Sequence, residues 1–331
     1  MRIETLPSMI FIVGAPRCGT TTIAGWLKQR PDICFPFVKE PHFFAQYDLT
    51  NMSDAEARAL TETEFLNRFF AQCEDGQKAA GVDGSVSYLY IPDRLVPALK
   101  LWPNAKFVIA VRDPMTMLPS LHQRLRVTGD ETIASFEQAW DAIPDREQGR
   151  RIPRSALESR WLRYDEAGKL GTYTQAMFDA VGRERCFVSV FDDLMADPKT
   201  QYQGLCEFLD LPAYLDINFE AKRESSGFRY GWLQRLLKRP PKFARTYLAG
   251  KHFAQREKRL TDDEHDGVSE KIFSVRKRLL RWNKQPAEKK PIPFRVQQEM
   301  RDRLKEDIGK LGRILGRDLS HWLEVKEGRL G

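Results

Sequence analysis

Short apolar runs recur along the first two thirds of the chain, separated by stretches in which apolar residues return every three or four positions. Three runs, MIFIV at 9–13, KFVIAV at 106–111 and CFVSVF at 186–191, are rich in β-branched and aromatic residues and predict buried strands. A fourth, short strand is predicted near 81–83. Strands that alternate with helical stretches predict an α/β fold with a parallel sheet.

Helical periodicity is clearest directly after the first strand, in TTIAGWLKQR at 21–30. Further helix starts are predicted at Ser53, Thr61 and Asp197, because each is a favoured N-cap residue ahead of an apolar period. A last amphipathic helix is predicted over MRDRLKEDIGKLGRILG at 300–316.

Two regions interrupt this alternation. Residues 127–160 are polar and contain the basic stretch GRRIPR, and we interpret them as a partly helical insertion over the active edge of the sheet. After Pro212 no further strand is predicted, and prolines between 240 and 293 divide the tail into helices and basic loops. We therefore predict a single domain, with an α/β core over 1–215 and a basic helical part over 216–331.

The composition narrows the class of protein. No run of 18 apolar residues appears, so no membrane span is expected, and the early apolar run is interpreted as a strand and not as a cleaved signal. The five cysteines, an odd number without a CxxC pair, predict neither a disulfide framework nor a zinc site. A reducing, cytoplasmic location is expected on that ground.

The net charge of +7 is concentrated in the tail. Twelve basic residues against two acidic ones lie between 222 and 259, and eight against one lie between 271 and 290. Such a tail either contacts a polyanion or an anionic membrane surface, or is a solvated helical face whose long stems cover apolar surface. LQRLLKRPPKFARTYL at 233–248 mixes apolar residues with cations, as interfacial segments do. Nucleic acid is not among the predicted partners.

A glycine-rich turn, GAPRCGTT at 14–21, joins the first strand to the first helix. Its glycines fit the GxxxxG spacing of nucleotide-phosphate loops, but Thr20 stands where such loops carry lysine. Converging N–H groups and the positive end of the helix dipole form an anion site, and Arg17 supplies a fixed cation. The missing lysine argues against ordinary nucleoside triphosphate hydrolysis.

A second candidate anion site follows another strand. Arg112 comes directly after KFVIAV, and Ser120 lies eight residues further on, near a predicted helix start. An arginine fork and a hydroxyl suit a phosphate group. Two anion sites at the carboxyl ends of two parallel strands suit a nucleotide that is phosphorylated at two positions.

The third candidate element is FVKEPHFF at 37–44, which sets Lys39, Glu40 and His42 around a proline and among aromatic residues. Pro41 biases Glu40 towards an extended backbone, which presents its side chain. An aromatic, partly dry pocket is expected to raise the pKa of Glu40 above its usual value of about 4.3, which suits a general base.

Together these motifs resemble those of the sulfotransferases that use 3′-phosphoadenosine 5′-phosphosulfate (PAPS), most of all the bacterial and heparan-sulfate-type branch. GAPRCGTTTI is similar to the family's 5′-phosphosulfate loop, VRDPMTMLPSLH to its 3′-phosphate motif, and VKEPHFF to the acceptor-side motif of glycan O-sulfotransferases. VDGSVSYLY, VFDDLMADP and GRDLSHW are similar to further family segments, so the resemblance spans nearly the whole chain. The chain departs from the family at Met117, where a second arginine is frequent, and at Gly84, where glycan O-sulfotransferases often carry lysine.

The resemblance implies a P-loop-NTPase-like three-layer α/β fold, with a central parallel sheet flanked by helices and a basic helical C-terminal extension. It implies in-line transfer of a sulfuryl group from PAPS to a hydroxyl or, less often, an amine. The expected acceptor is a carbohydrate, a glycolipid or a small molecule, the expected product is adenosine 3′,5′-bisphosphate, and no metal is required.

The resemblance also implies roles for individual residues. The loop residues Cys18, Gly19, Thr20, Thr21 and Thr22 would hold the 5′-phosphate. Arg17 would stabilise the leaving group, and Arg112 with Ser120 would hold the 3′-phosphate. Arg223 and Arg229 lie where relatives place a basic loop that closes on the nucleotide. Glu40 would take the acceptor proton, with His42 orienting it or sharing that role, and Lys39 would assist at the sulfuryl oxygens.

Two other interpretations stay open at this point. A P-loop kinase would use ATP and magnesium, which the missing loop lysine and the pair of Arg112 and Ser120 disfavour. A non-enzymatic protein that binds polyanions or membranes through its tail would leave the glycine-rich turn and VKEPHFF unexplained. Cys18 is a candidate low-pKa thiol because it lies in the glycine-rich turn.

Overall fold

A five-stranded parallel sheet forms the centre of the fold. The computed structural model describes residues 1–73, 78–156, 158–212, 214–220, 226–238, 267–286 and 291–324. The strands of this sheet are β1 (Met9–Gly14), β2 (Ile33–Cys34), β3 (Ala80–Asp83), β4 (Lys106–Val111) and β5 (Cys186–Val190). Their order is β2-β3-β1-β4-β5, and all neighbours pair in parallel. Parallel pairing buries both faces, and every residue of β1 is buried.

Helices flank this sheet, as predicted. In chain order, the helices up to Phe208 are α1 (Thr20–Lys28), α2 (Phe43–Gln46), α3 (Asp54–Leu60), α4 (Asn67–Phe69), α5 (Val96–Leu101), α6 (Pro114–Thr128), α7 (Phe136–Asp141), α8 (Ile143–Glu147), α9 (Tyr164–Ala167), α10 (Leu170–Val181), α11 (Phe191–Ala196) and α12 (Pro198–Phe208), of which α7 to α9 belong to the second compact unit described below. The predicted α/β architecture is therefore confirmed.

Local capping signals were informative at two helix starts and misleading at a third. Ser53 and Glu56 form a reciprocal capping box ahead of α3, and the side chain of Asp197 accepts the N–H of Thr200 ahead of α12. The predicted start at Thr61 is wrong, because α3 runs on through the π-helical turn Thr61–Leu66 into α4. The Thr61 hydroxyl donates to the carbonyl of Ala57, 2.7 Å away, inside this continuous helix.

An aromatic cluster on one face of the sheet brings the FVKEPHFF segment against β1. The ring of Phe11 contacts those of Phe44, Tyr88, Trp102 and Phe107 at centroid distances of 5.4 to 6.4 Å. All five side chains are fully buried. Burial of rings of this size contributes on the order of 2 kcal/mol each, so the cluster fixes the segment that precedes α2.

The chain divides into two compact units. The first comprises Met1–Met117, Gly168–Ala221 and Met300–Val325 and contains the five-stranded sheet. The last α-helix, Phe294–Leu315, begins in the second unit and ends in this one. It confirms the amphipathic helix that was predicted over 300–316. Within this unit the carboxylate of Asp307 accepts the N–H groups of Gly171 and Thr172 at 2.7 and 2.8 Å, capping α10.

The second unit comprises Leu118–Ala167, Lys222–Glu299 and Lys326–Gly331. Its insertion, 127–160, is partly helical as predicted, since α7 and α8 lie within it. The prediction that no strand follows Pro212 is wrong. An antiparallel pair joins β6 (Ser226–Phe228) to β7 (Lys284–Pro286), and three-residue strands paired across such a distance leave no periodic signal. The remaining helices are α13 (Gly231–Lys238), α14 (Gly267–Asn283) and α15 (Phe294–Leu315).

One disulfide corrects the expectation drawn from the cysteines. Cys34, in β2, and Cys73 are bonded across 39 residues of sequence, with Cα atoms 6.0 Å apart. Because the fold brings together two positions with no recognisable spacing, the sequence count did not reveal the pair. The cysteines therefore no longer argue for a reducing compartment. In the described part of the chain, no helix combines the length and the apolar character that a membrane crossing requires.

Candidate active site

The glycine-rich turn requires both of its glycines. β1 ends at Gly14, whose φ is 150°, and a Cβ added there would lie 2.8 Å from the Cβ of Leu89 and 3.0 Å from the carbonyl oxygen of Val86. Gly19, with φ of 94°, precedes α1, and a Cβ added there would overlap the side chain of Leu194. Only glycine combines these backbone angles with such close neighbours.

The turn has the geometry of an anion site. The N–H of Ala15 donates to the carbonyl of Ala110 in β4 at 2.7 Å, which ties the turn to the next strand. The N-cap position of α1 is Gly19, which has no side chain to cap the helix, so the positive end of this nine-residue helix faces the turn. Thr20 is buried, and Thr21 and Thr22 are half-buried. These features suit an anionic ligand at the helix N-terminus.

Arg112 contacts the turn directly. Its Nη1 donates to the carbonyl oxygen of Arg17 at 3.1 Å, and its Nε donates to the hydroxyl of Thr116 at 3.0 Å. The guanidinium lies 4.2 Å from the ring centre of Phe191, in cation–π contact. Burial lowers the pKa of Arg112, against the opposing influence of Cys18 and Asp113. The fold thus brings Arg17 and Arg112 together, as the sequence predicted.

The sheet order explains why the two arginines meet. From β1 the chain moves to one side of the sheet for β2 and β3 and to the other side for β4 and β5. The order therefore reverses between β1 and β4, and both strands point their carboxyl ends to the same edge. Open parallel sheets bind their ligands in the crevice at such a reversal.

The other two residues predicted for the 3′-phosphate lie in the second unit. Ser120 is half-buried on α6, six residues after Pro114. Arg229 is exposed, follows β6 and donates its N–H to the carbonyl of Asn283 at 2.8 Å. Arg223 lies outside the described residues. The roles of Ser120 and Arg229 remain predictions.

Lys39, Glu40 and His42 form one charged group ahead of α2. The Nζ of Lys39 lies 2.9 Å from Oε1 of Glu40, and the Nε2 of His42 lies 3.5 Å from Oε2 of the same carboxylate. Burial raises the pKa of Glu40, but His42 and Lys39 together outweigh it and lower that pKa to about 2. The prediction of a raised pKa is therefore wrong, because the neighbouring cation and imidazole lie within the same short segment.

Gly84 accommodates Lys39. A Cβ at Gly84 would lie 3.1 Å from the Cγ and 3.2 Å from the Cε of Lys39, and the Lys39 ammonium donates to the Gly84 carbonyl at 3.3 Å. The backbone N–H of Gly84 in turn donates to the carbonyl of Lys39 at 3.0 Å. The lysine side chain therefore lies along a glycine, which directs its ammonium towards Glu40.

Segment 83–89, which follows β3, connects this charged group to the glycine-rich turn. Val86 and Leu89 of the segment abut Gly14, while Ser85 and Ser87 hydrogen-bond His42. Neither serine was predicted from the sequence to have a role. The sequence did contain a signal for them, because two hydroxyl side chains follow β3 at the same edge of the sheet as Arg112, which follows β4.

Two further segments support the turn from the other side. Leu194 and Phe191 of α11 pack against Gly19. The carboxylate of Asp193 pairs with Arg317 at 2.6 Å, and that of Asp192 accepts from the indole of Trp322 at 3.2 Å. The acidic pair after β5 therefore anchors α11, and through it the turn, to the chain after α15.

Cys18 is not a low-pKa thiol. Its side chain is fully buried, and burial raises its pKa to about 12 despite the nearby charges of Arg112 and Arg17. The predicted low pKa is wrong because the thiol is buried in the protein, where its sulfur lies 3.6 Å from the carbonyl oxygen of Pro16.

The chain thus has an α/β fold with a glycine-rich turn after its first strand and an arginine at the tip of the neighbouring strand, at the carboxyl edge of the parallel sheet. The model of the Sulfotransferase family matches residues 7–216. Because the match extends over more than half of the chain, the chain belongs to the sulfotransferase family.

Two relatives illustrate this placement. The chain is 30% identical over 139 residues to the nodulation protein NoeE of Sinorhizobium fredii (strain NBRC 101917 / NGR234), covering 36% of this chain and 32% of that protein. It thus matches about a third of the length of that curated relative. The crystal structure of a sulfotransferase from Alicyclobacillus acidocaldarius superposes with a TM-score of 0.60 at 20% identity, over 95% of this chain and 98% of that one, which shows a common fold.

Proposed function

We propose that the protein is a sulfotransferase that moves the sulfuryl group of PAPS to an acceptor hydroxyl, releasing adenosine 3′,5′-bisphosphate. Membership of the family supports the class of reaction. The observation that carries the choice of donor is the 3.1 Å hydrogen bond from Arg112 to the carbonyl of Arg17. It joins two cationic strand tips into one region, as a nucleotide with phosphates at two positions requires.

In this proposal the transfer is in line and resembles phosphoryl transfer, in which positioning and charge stabilisation do most of the work. The loop residues 18–22 hold the 5′-phosphate, and Arg17 stabilises the charge that grows on the leaving group. Arg112 holds the 3′-phosphate, and Ser120 and Arg229 keep the 3′-phosphate roles predicted from the sequence. No metal is required, since the cations come from the chain.

Glu40 is the proposed general base. It is ionised in the free protein because Lys39 and His42 hold its pKa at about 2. The sulfuryl oxygens of a bound donor would compete for the Lys39 ammonium, 2.9 Å from the carboxylate. Loss of that ion pair raises the pKa of Glu40, which makes it a stronger base only once the donor is bound.

The proposed acceptor is a carbohydrate or glycolipid hydroxyl, which would place the chain in the bacterial, heparan-sulfate-type branch. The motif VKEPHFF supports this choice, since it is similar to the acceptor-side motif of glycan O-sulfotransferases and its carboxylate, ammonium and imidazole form one group. Donor turnover measured against a panel of glycans, glycolipids and phenols identifies the class. Turnover with phenols alone would remove the carbohydrate assignment.

Nucleotide titration tests the donor. We expect adenosine 3′,5′-bisphosphate to bind more tightly than ATP, with or without magnesium, because Arg112 binds the 3′-phosphate, which ATP lacks. Arg112→Ala should weaken the binding of the bisphosphate by about 10- to 100-fold, which is the effect of one charge-assisted hydrogen-bonded pair. It should leave the affinity for adenosine 5′-monophosphate nearly unchanged. Isothermal calorimetry gives the constants.

Arg124→Ala is the matched control, because Arg124 is an exposed arginine on α6. It should bind both nucleotides as the wild type does. Tighter, magnesium-dependent binding of ATP would replace the proposal with the kinase alternative. If neither nucleotide bound, the proposal would fail and the non-enzymatic, polyanion-binding protein would be the remaining alternative.

We also propose that the tail contacts an anionic membrane surface. α13 and α14 are linked by a 2.9 Å hydrogen bond from Arg276 to the carbonyl of Leu237. Trp232 is 68% exposed and Trp282 is 51% exposed, the latter stacked on Tyr230 at 5.6 Å. Exposed basic residues flank these rings: Arg235, Lys238, Lys277, Arg278 and Arg281. Exposed tryptophans beside cations suit a lipid headgroup region. Most of the basic run 222–259 lies outside the described residues.

Vesicle sedimentation tests this contact. The protein should sediment with phosphatidylcholine vesicles that contain phosphatidylglycerol, should not do so with phosphatidylcholine alone, and should be released by salt. Replacing both Trp232 and Trp282 by serine should weaken binding by about 10-fold or more, because each ring loses its apolar burial. Phe294→Ser, at an exposed aromatic on α15, is the control. No sedimentation with anionic vesicles would remove the proposal.

A further inference from the structure

Two serines after β3 hold His42 at two different atoms. The Oγ of Ser85 accepts the backbone N–H of His42 at 2.8 Å, and the Oγ of Ser87 lies 2.8 Å from Nδ1 of its ring. Ser85 is fully buried and Ser87 is 7% exposed. We call Ser85 and Ser87 the serine pair. Because it reaches both the backbone and the ring, the pair fixes where the imidazole points.

The backbone contact stabilises an unusual conformation. His42 has φ of 55°, in the left-handed region that residues other than glycine seldom adopt and that raises the free energy by about 1 kcal/mol or more. The Ser85 hydroxyl accepts the N–H that this conformation directs towards it. The ring of His42 is therefore aimed by a backbone geometry that depends on Ser85.

A buried carboxylate at the end of β3 orients Ser85. Oδ1 of Asp83 accepts the Ser85 hydroxyl at 2.5 Å and the Ser85 N–H at 3.0 Å, and Oδ2 accepts the Tyr88 hydroxyl at 2.8 Å. Asp83 is fully buried, and burial raises its pKa to about 6 against these hydrogen bonds. Because the Ser85 proton is donated to Asp83, only the oxygen lone pairs of Ser85 face His42.

Two ring contacts, one at each nitrogen, together decide which nitrogen of His42 carries the proton. Nε2 faces Oε2 of Glu40 at 3.5 Å, and an ionised carboxylate only accepts hydrogen bonds, so the proton of the neutral ring belongs on Nε2. Nδ1 is then bare, and the Ser87 hydroxyl donates to it. Among the described residues, Glu40 from its own segment and Asp83 from the end of β3 interact with His42, and Lys39 pairs with the same Glu40 carboxylate.

From this arrangement we infer that Ser87 is a positioning residue: its hydroxyl holds His42 as the Nε2–H tautomer, so that His42 donates towards Glu40 and Glu40 alone takes the acceptor proton. The inference rests on the proposed function, in which Glu40 is the base. It chooses between the two bases that the sequence left open. A ring whose Nε2 carries the proton cannot accept one at the atom that faces Glu40.

Nitrogen NMR tests the tautomer without any turnover. In protein labelled with ¹⁵N-histidine, the signals that His42→Gln removes belong to His42. They should show protonated Nε2 and bare Nδ1 in the neutral ring. Ser87→Ala should shift the ring towards the Nδ1–H tautomer, because the remaining 3.5 Å contact with Glu40 is longer than a usual hydrogen bond. Ser87→Thr should keep the wild-type pattern, and Ser8→Ala, at a half-buried serine whose hydroxyl donates to the carbonyl of Asn104, should change nothing. A wild-type ring protonated at Nδ1, or an unchanged tautomer in Ser87→Ala, would overturn the inference.

Kinetics tests the consequence. Ser87→Ala should lower kcat by about 3- to 10-fold, the effect of one neutral hydrogen bond, with the KM for PAPS unchanged and with rescue by Ser87→Thr. A folded Ser87→Ala enzyme with wild-type kcat would overturn the role. Absence of turnover in the wild type would instead refute the proposed function, while the NMR result would still stand. The two failures are therefore distinguishable.

Discussion

Arg17→Ala is expected to lower the turnover of PAPS by about 10³-fold or more. Arginines that stabilise the charge of a transferring phosphoryl group contribute 10³ to 10⁵ in rate, and the proposed mechanism gives Arg17 the same role for the sulfuryl group. The backbone should survive, since the Arg17 carbonyl still accepts from Arg112 and the turn is still fixed by Gly14 and Gly19. Release of adenosine 3′,5′-bisphosphate, measured at saturating acceptor, gives the rate.

Arg17→Lys separates charge from geometry. It keeps the cation but loses the planar fork, so it should recover only part of the lost rate. Thermal unfolding of both variants should resemble that of the wild type, because Arg17 is only half-buried. Wild-type turnover in a folded Arg17→Ala protein would remove Arg17 from the mechanism and leave the phosphate loop to its backbone groups.

The predicted fold followed from patterns that are local in sequence. β1, β4 and β5 are continuous apolar runs because both faces of a parallel sheet are buried, and such runs are visible in isolation. β2, with two residues, and β6, with three, are held by partners rather than by their own pattern. The bond between Cys34 and Cys73 was hidden for the same reason, since only the folded chain brings them together.

The positions of site residues could be predicted where the residues lie within one motif. Their pKa values and hydrogen-bond partners could be predicted less well, because tertiary contacts determine them. Arg17 and Arg112 were expected at adjacent strand tips, and the order of the sheet places them there. The pKa of Glu40 was predicted in the wrong direction, because burial was foreseen but the distances to Lys39 and His42 were not. Ser87 acts across 45 residues of sequence, which no spacing rule connects.

Glu40→Gln is expected to lower kcat by about 10²- to 10⁴-fold, the usual contribution of a general base. Glutamine keeps the shape of the side chain and can still accept from Lys39 and His42, so the fold and the affinity for PAPS should change little. Glu64→Gln, at a carboxylate that pairs with Arg68 at 2.8 Å, is the matched control and should keep full activity. If Glu40→Gln turned over at the wild-type rate, the base would have to be His42 or the substrate itself.

The pH profile tests the same residue independently. A base works only when it is deprotonated, so its activity is lost as the pH falls through its pKa. With the pKa of Glu40 at about 2 in the free enzyme, kcat/KM should show no acidic limb from Glu40 at pH values where the protein is folded. Lys39→Met removes one of the groups that lower this pKa while burial still raises it and His42 still lowers it, so the acidic limb should move to higher pH than in the wild type. The limb belongs to Glu40 only if it is absent from the residual activity of the double variant Lys39→Met with Glu40→Gln. Its persistence there would assign the titration to another group and contradict the role of Glu40 as the base.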